Sequence, residues 1–204
     1  MHCVIFAAMP VTQAMEPYYN DADVTIAADA GYRVMQQLKL LPDILLGDYD
    51  SAPIPADDKH VERLPREKDD TDTYYAARRA LALGADRVTI LGGLGGRLDH
   101  TLANLHTVAF LARSGVSARL ADENTEINAL LPGSYRFARR DGYVSLFPAG
   151  DSIEGVTLRG FHYPLTDATL TNSYPLGISN EFVADVGEIS FTHGVLYLVF
   201  VREQ

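Results

Sequence analysis

Through the first half of the chain, short apolar runs alternate with longer segments whose apolar positions recur every three or four residues. "CVIFAA", "DVTIAA", "DILLG", "RVTILGG" and "SARLAD" read as strands, and "VERLP" as a weaker one. Between them lie helical patterns. "AGYRVMQQLKLL" carries Val34, Leu38 and Leu41 at near-helical spacing and is closed by Pro42. "TDTYYAARRALALG" places Ala76, Ala80 and Leu83 on one face, with Asp70 or Thr71 as N-cap and Gly84 as stop. "DHTLANLHTVAFLARSG" sets Leu102, Leu105, Ala109 and Ala112 on one side and ends at Gly115. Strand–helix alternation predicts a mostly parallel, Rossmann-like sheet covered by helices.

Beyond about residue 121 the helical period fades. "EINALL", "YRFA", "YVSLFPA", "VTLRG", "ATLTN", "EFVA", "EISF" and "VLYLVFV" follow at short intervals, separated by Gly, Pro, Asn and Asp. That texture predicts an all-β sandwich or small barrel. The boundary falls between 115 and 125, giving an α/β domain over 1–120 and a β-sandwich over 121–204. No repeat, low-complexity tract or long linker interrupts the pattern.

In an open parallel sheet, ligands bind outside the carboxyl ends of the strands. Three predicted strands deliver chemistry to that edge. Asp29 follows "VTIAA", Asp48 and Asp50 follow "DILLG", and Gly92, Gly93, Gly95 and Gly96 follow "VTIL". Paired carboxylates repel, by about 4 kcal/mol at 4 Å and an effective dielectric near 20. A cation, a proton or water must relieve them. A solvated acidic turn is the ordinary alternative. The convergence of three strand ends argues against scattered turns.

Charge narrows the function further. The chain has 204 residues, 47% of them apolar, and a net charge of −10. A nucleic-acid binder needs a basic face, so that class is excluded. A nucleotide substrate is not, because a divalent metal bridges acidic protein to phosphate. The single Cys3 sits in an apolar run and calls for no oxidising compartment. No basic residue precedes Arg33, and no apolar run reaches the roughly 18 residues of a membrane helix. The expectation is a cytoplasmic protein without a membrane or nucleic-acid partner.

Two motifs carry the chemistry. "LGGLGGRLDHTLANL" runs from a strand into a helix, so its glycines allow close backbone approach and the helix N-terminus offers an anion site. It is neither a P-loop nor a clean Gly-x-Gly-x-x-Gly. Arg97 adds a phosphate-binding fork. Asp99 serves metal, base or N-cap. In "KDDTD", Lys68, Asp69, Asp70 and Asp72 meet a helix start, where acids also suit the helix dipole. The histidines lack metal-ligand spacing, and aspartates without thiolates favour a hard cation.

Taken in order, "LLPDILLGDYDS", "KDDTD", "GGLGGRLDHTLANL", "LRGFHYPLTDATL" and "GISNEF" resemble the thiamine pyrophosphokinase family over nearly the whole chain. The chain departs from that pattern at "FAAMPVT", where relatives often have a glycine, and at "DAG", where they often have Asp-Gly-Gly. The resemblance implies transfer of a pyrophosphoryl group from ATP to thiamine. It implies Mg²⁺ at Asp48, Asp50 and Asp72, with Asp99 completing the catalytic set. It implies ATP and phosphate contacts at Asp29, Gly31, Lys68, Asp69, Thr71, Gly93, Gly96, Arg97 and Asn104. Ser179 and Asn180 are implied to line the thiamine pocket, in a homodimer whose sites are shared between subunits. The competing readings are a pyrophosphokinase for another heterocyclic alcohol such as a hydroxymethylpterin, an Asp-x-Asp phosphatase, and a non-catalytic nucleotide or thiamine sensor.

Overall fold

A computed structural model of the chain describes residues 1–47, 61–63 and 70–203, and divides into two compact units, Met1–Glu123 and Asn124–Gln204.

The first unit is a parallel sheet with helices. Its strands are β1 (His2–Phe6), β2 (Val24–Ala28), β3 (Ile44–Gly47), β4 (Val61–Arg63), β5 (Arg87–Leu91) and β6 (Ser117–Ala121). They lie in the order β4-β3-β2-β1-β5-β6, each pair parallel. All five residues of β1 are buried, as a central strand covered on both faces requires. The helices are α1 (Gly31–Gln37), α2 (Asp72–Ala82) and α3 (Leu98–Arg113), with a short 3-10 helix at Gln13–Tyr18.

All three helices end in the same way. The residue after the C-cap takes a left-handed conformation: Lys39 at φ 59°, Gly84 at φ 83° and Gly115 at φ 82°. The next amide then reaches back to a carbonyl in the last turn: Leu40 to Met35, Ala85 to Ala80, Val116 to Leu111. Glycine marks this stop in α2 and α3. In α1 a lysine does it, so the helix ends before the pattern in "AGYRVMQQLKLL" runs out. Leu41 is therefore outside the helix and 85% exposed. The buried face of α3 keeps Ala109 and Ala112 of the predicted one but turns away from Leu102. Asn104, Thr107, Val108, Leu111 and Ala112 turn inward, while Leu102 is 49% exposed.

The second unit is all-β. Its strands are β7 (Thr125–Leu130), β8 (Gly133–Ala138), β9 (Tyr143–Pro148), β10 (Ser152–Arg159), β11 (Leu165–Thr171), β12 (Val186–Phe191) and β13 (Leu196–Val201). β13 pairs antiparallel with β7 and β9. The second sheet runs β11-β10-β12-β8, again antiparallel. Val144, Leu146, Leu196 and Leu198 of the first sheet share one core with Ile153, Val156, Leu158 and Ile189 of the second. The segment "EFVA" forms no strand. Phe182 makes only an isolated bridge to Phe161, and the Val183 amide bonds the Gly160 carbonyl. Among the described residues, no helix is long and apolar enough to cross a membrane.

Candidate active site

The strand order of the first unit reverses at β1: the chain builds outward through β2, β3 and β4, then crosses to β5 on the other side. Ligand crevices open at such points, at the carboxyl ends of the strands. There a cleft of about 270 Å³ lies among Ala7, Ala8 and Met9 after β1, Ala28 at the end of β2 and Asp29 after it, Gly92, Gly93 and Gly95 after β5, and the starts of α2 and α3.

Backbone constraints shape this cleft. Asp29 sits at φ 48°, a left-handed conformation that Asp adopts at lower cost than most residues. Its amide still bonds the Leu46 carbonyl at 2.6 Å, so the residue caps β2 while it turns into the cleft. Gly31 has a different task. A Cβ there would stand 1.9 Å from the Phe6 carbonyl oxygen, so the missing side chain lets α1 approach the end of β1. Gly92 is as constrained: at φ 69°, a Cβ would stand 2.5 Å from the Met9 carbonyl oxygen. Gly93 is held by Asn104, a buried residue whose Nδ2 donates to the Gly93 carbonyl at 2.8 Å.

The starts of α2 and α3 supply the polar wall. Thr71 is the N-cap of α2, its hydroxyl accepting from the Tyr74 amide at 3.1 Å. Thr71, Asp72 and Thr73 line the cleft, so the positive end of the helix dipole faces it. Asp70 instead pairs with Arg78 at 3.3 Å. Arg97 is the N-cap of α3 without a side-chain cap bond. Its Nε and Nη2 donate to Asp99 at 3.1 and 2.6 Å. The hydrogen bond to Arg97 holds the Asp99 carboxyl below the usual carboxylate range. The same bond raises the Arg97 guanidinium. The pair is exposed; Asp99 does not line the cleft, and Gly96 does not either.

Of the residues singled out in the sequence, Asp29, Thr71, Asp72, Gly92, Gly93, Gly95, Arg97 and Asn104 meet in this cleft. Asp48, Asp50, Lys68 and Asp69 lie outside the described residues. Ala7, Ala8, Met9, Ala28, Thr73 and His100 line the cleft without having been singled out. The signal for the first three was present: the strand-end rule applies to β1 as it does to β2 and β5.

Ser179 and Asn180 lie in the second unit, on a loop stitched to β9. The Ser179 amide donates to the Ser145 hydroxyl at 3.0 Å, and Asn180 exchanges backbone bonds with Val144. Ser179 is exposed and left-handed at φ 55°. Asn180 is 1% exposed. Its carboxamide donates to the Tyr163 carbonyl at 2.8 Å and accepts from the Tyr163 and Glu181 amides at 2.9 and 3.0 Å. Asn180 therefore acts as a clamp on the backbone of Tyr163, a residue 62% exposed whose ring lies beside that of His162.

Two family models match the chain: the thiamin pyrophosphokinase catalytic domain over residues 15–120, and the thiamin pyrophosphokinase vitamin B1 binding domain over residues 135–196. A curated relative, the thiamine pyrophosphokinase of Bacillus subtilis (strain 168), is 30% identical over 191 residues, covering 89% of each chain. The crystal structure of thiamine pyrophosphokinase from Bacillus subtilis superimposes with a TM-score of 0.90 at 29% identity, covering 100% of both chains. That of the thiamin pyrophosphokinase from Geobacillus thermodenitrificans does so at 0.86 and 27%, covering 100% of this chain and 99% of the other. The thiamin pyrophosphokinase from Candida albicans, at 14% identity and a TM-score of 0.81, shares the fold over 98% of this chain and 90% of its own.

Proposed function

This chain belongs to the thiamin pyrophosphokinase family, and from that premise we propose how its residues transfer a pyrophosphoryl group from ATP to the hydroxyl of thiamine, giving thiamine diphosphate and AMP. The observation that carries the reading is the convergence of Asp29, Thr71, Asp72 and Arg97 on one cleft at the carboxyl edge of the parallel sheet. Such phosphoryl chemistry asks little covalent work of a protein. It needs positioning and charge stabilisation. The α2 N-terminus and the Arg97 fork receive phosphate oxygens, and Asp99 holds Arg97 in place. Lys68 and Asp69, beyond the described residues, and Gly31 and Gly96, which shape the turns, complete the phosphate end. The reversal of strand order at β1, the feature of a Rossmann-like nucleotide crevice, supports this reading.

The donors present fit a hard divalent cation. Among the described residues no three of His, Cys, Asp or Glu form a metal-binding group. Mg²⁺ needs only one or two protein carboxylates beside phosphate, however, and Asp29 and Asp72 both line the cleft. Asp72 would hold it together with Asp48 and Asp50. When bound, Mg²⁺ neutralises phosphate charge.

Thiamine goes to the second unit. The exposed Ser179 hydroxyl and the Tyr163 ring are the groups there that meet substrate, the ring because an aromatic face attracts the thiazolium cation. Asn180 positions both. A homodimer brings the two kinds of site together. Exposed apolar residues support association: Leu98 and Leu102 on α3 in one unit, Ile178 and Val183 beside Ser179 in the other. The acidic chain with its single buried Cys3 suits the cytoplasm.

The test is incubation with ATP, Mg²⁺ and either thiamine or a hydroxymethylpterin, with products identified by mass. Thiamine diphosphate and AMP, formed only when thiamine is present, are expected. AMP formation with the pterin alone would move the reaction to the other alcohol.

A further inference from the structure

The cleft has two chemically different walls. The starts of α2 and α3 bring Thr71, Asp72, Arg97 and His100. Ala7, Ala8, Met9 and Ala28 line it as well, none with a polar side chain. Phosphates belong at the helix N-termini, so the remainder of a nucleotide must use the other wall. That wall is rigid. The Ala7 amide bonds the Leu91 carbonyl at 2.8 Å, and the Met9 amide bonds the Gly92 carbonyl at 2.9 Å, so the turn continues the pairing of β1 with β5. The alanines leave a shallow surface, and Met9 alone gives it reach. Its sulfur lies over Gly96, where a Cβ at φ 64° would stand 2.7 Å from Sδ. The glycine loop thus leaves room for this side chain.

We propose that the Ala7–Met9 turn seats the nucleobase and that Met9 is its platform, which makes Met9 a specificity-determining residue for the nucleotide. The inference rests on the ATP reading above. A thioether is polarizable and packs favourably on an aromatic ring. A purine offers more ring area to it than a pyrimidine. The parent enzyme therefore prefers purine to pyrimidine nucleoside triphosphates.

The experiment compares the parent, Met9→Ala and Met9→Leu, using ATP, CTP and inorganic tripolyphosphate as probes. The expected result is a KM for ATP about five- to tenfold higher in Met9→Ala, and a smaller ATP-to-CTP preference. Tripolyphosphate has no base, and its Kd stays where it was. Met9→Leu keeps an apolar platform and recovers most of the ATP affinity. Equal weakening of ATP and tripolyphosphate would mean that Met9 only supports the glycine loop, and would overturn the proposal. So would an unchanged KM for ATP in Met9→Ala. Absence of AMP formation by the parent itself is a separate result, and it overturns the ATP reading on which this one rests.

Discussion

At the scale of single residues, backbone geometry explains more of the site than side-chain chemistry does. Gly31 shows this best. Its missing side chain is what lets α1 meet β1. Gly31→Ala should destabilise the fold by about 1–3 kcal/mol through overpacking against backbone that cannot swing aside. Gly84→Ala has open space around its Cβ. It should cost about 1 kcal/mol, from the left-handed conformation alone. Urea titration of both variants measures the difference, and equal losses would refute the steric account. A second residue-scale prediction concerns His2, which is 2% exposed. Its ring bonds Asp21 at 2.9 Å and Thr89 at 2.8 Å, with Arg87 and Arg119 close by. Burial and then the Arg87 charge lower its pKa from 6.5 against the opposing pull of Asp21. The folded state therefore binds this proton less readily than the unfolded chain. The stability is present above about pH 6.5 and is lost as pH falls below it. Unfolding midpoints at pH 7.5 and 5.5 should differ more in the parent than in His2→Gln; identical differences would remove His2 as the cause.

At the scale of elements, the helix ends carry the lesson. α2 and α3 stop at Gly84 and Gly115, as glycine at that position directs. α1 stops with the same hydrogen bonds around Lys39, a residue that carries no such signal. Hydrophobic spacing alone extended that helix to Leu41. Lys39 pays the left-handed penalty that a glycine avoids. Lys39→Gly should therefore stabilise the protein by about 0.5–1 kcal/mol, the strain relieved less the extra entropy of the unfolded chain. Thermal unfolding is the check, and a drop in melting temperature would contradict the capping geometry. The face of α3 teaches the same caution. Leu102 and Ala109 look equivalent by period, but the turn that buries Asn104 against Gly93 rotates Leu102 outward.

For the whole molecule, the cleft lies in the α/β unit and Ser179 and Tyr163 in the all-β unit, so the proposed use of ATP and of thiamine can be tested separately. Chelation of divalent ions should abolish turnover, and added Mg²⁺ should restore it; full activity in strictly metal-free buffer would sink the metal assignment. A subunit-mixing experiment addresses sharing. Asp50→Asn should impair use of ATP, and Tyr163→Ala with Ser179→Ala should impair use of thiamine. Asn180 is left intact because its buried amide holds the loop. If sites are shared between subunits, mixing the two variants under demonstrated exchange restores part of the activity. No recovery would assign each site to one chain.

The order of strands and helices, the change to β texture near residue 120 and the motifs at the ends of β2 and β5 were all legible in the linear pattern. Each depends on local periodicity or on a residue type whose backbone preference is intrinsic. Only the tertiary structure decided the rest. It set Ala7–Met9, whose place at a strand end was legible, against the glycine turn after β5, because strand order, and not sequence distance, sets β1 beside β5. It made Asn180 a clamp on the backbone of Tyr163, because its hydrogen-bond partner lies 17 positions away. It left "EFVA" unpaired as a strand, because the backbone of Gly160 claims the Val183 amide. Non-local hydrogen bonds and close backbone approaches are set by how elements meet, and no window of sequence contains both partners.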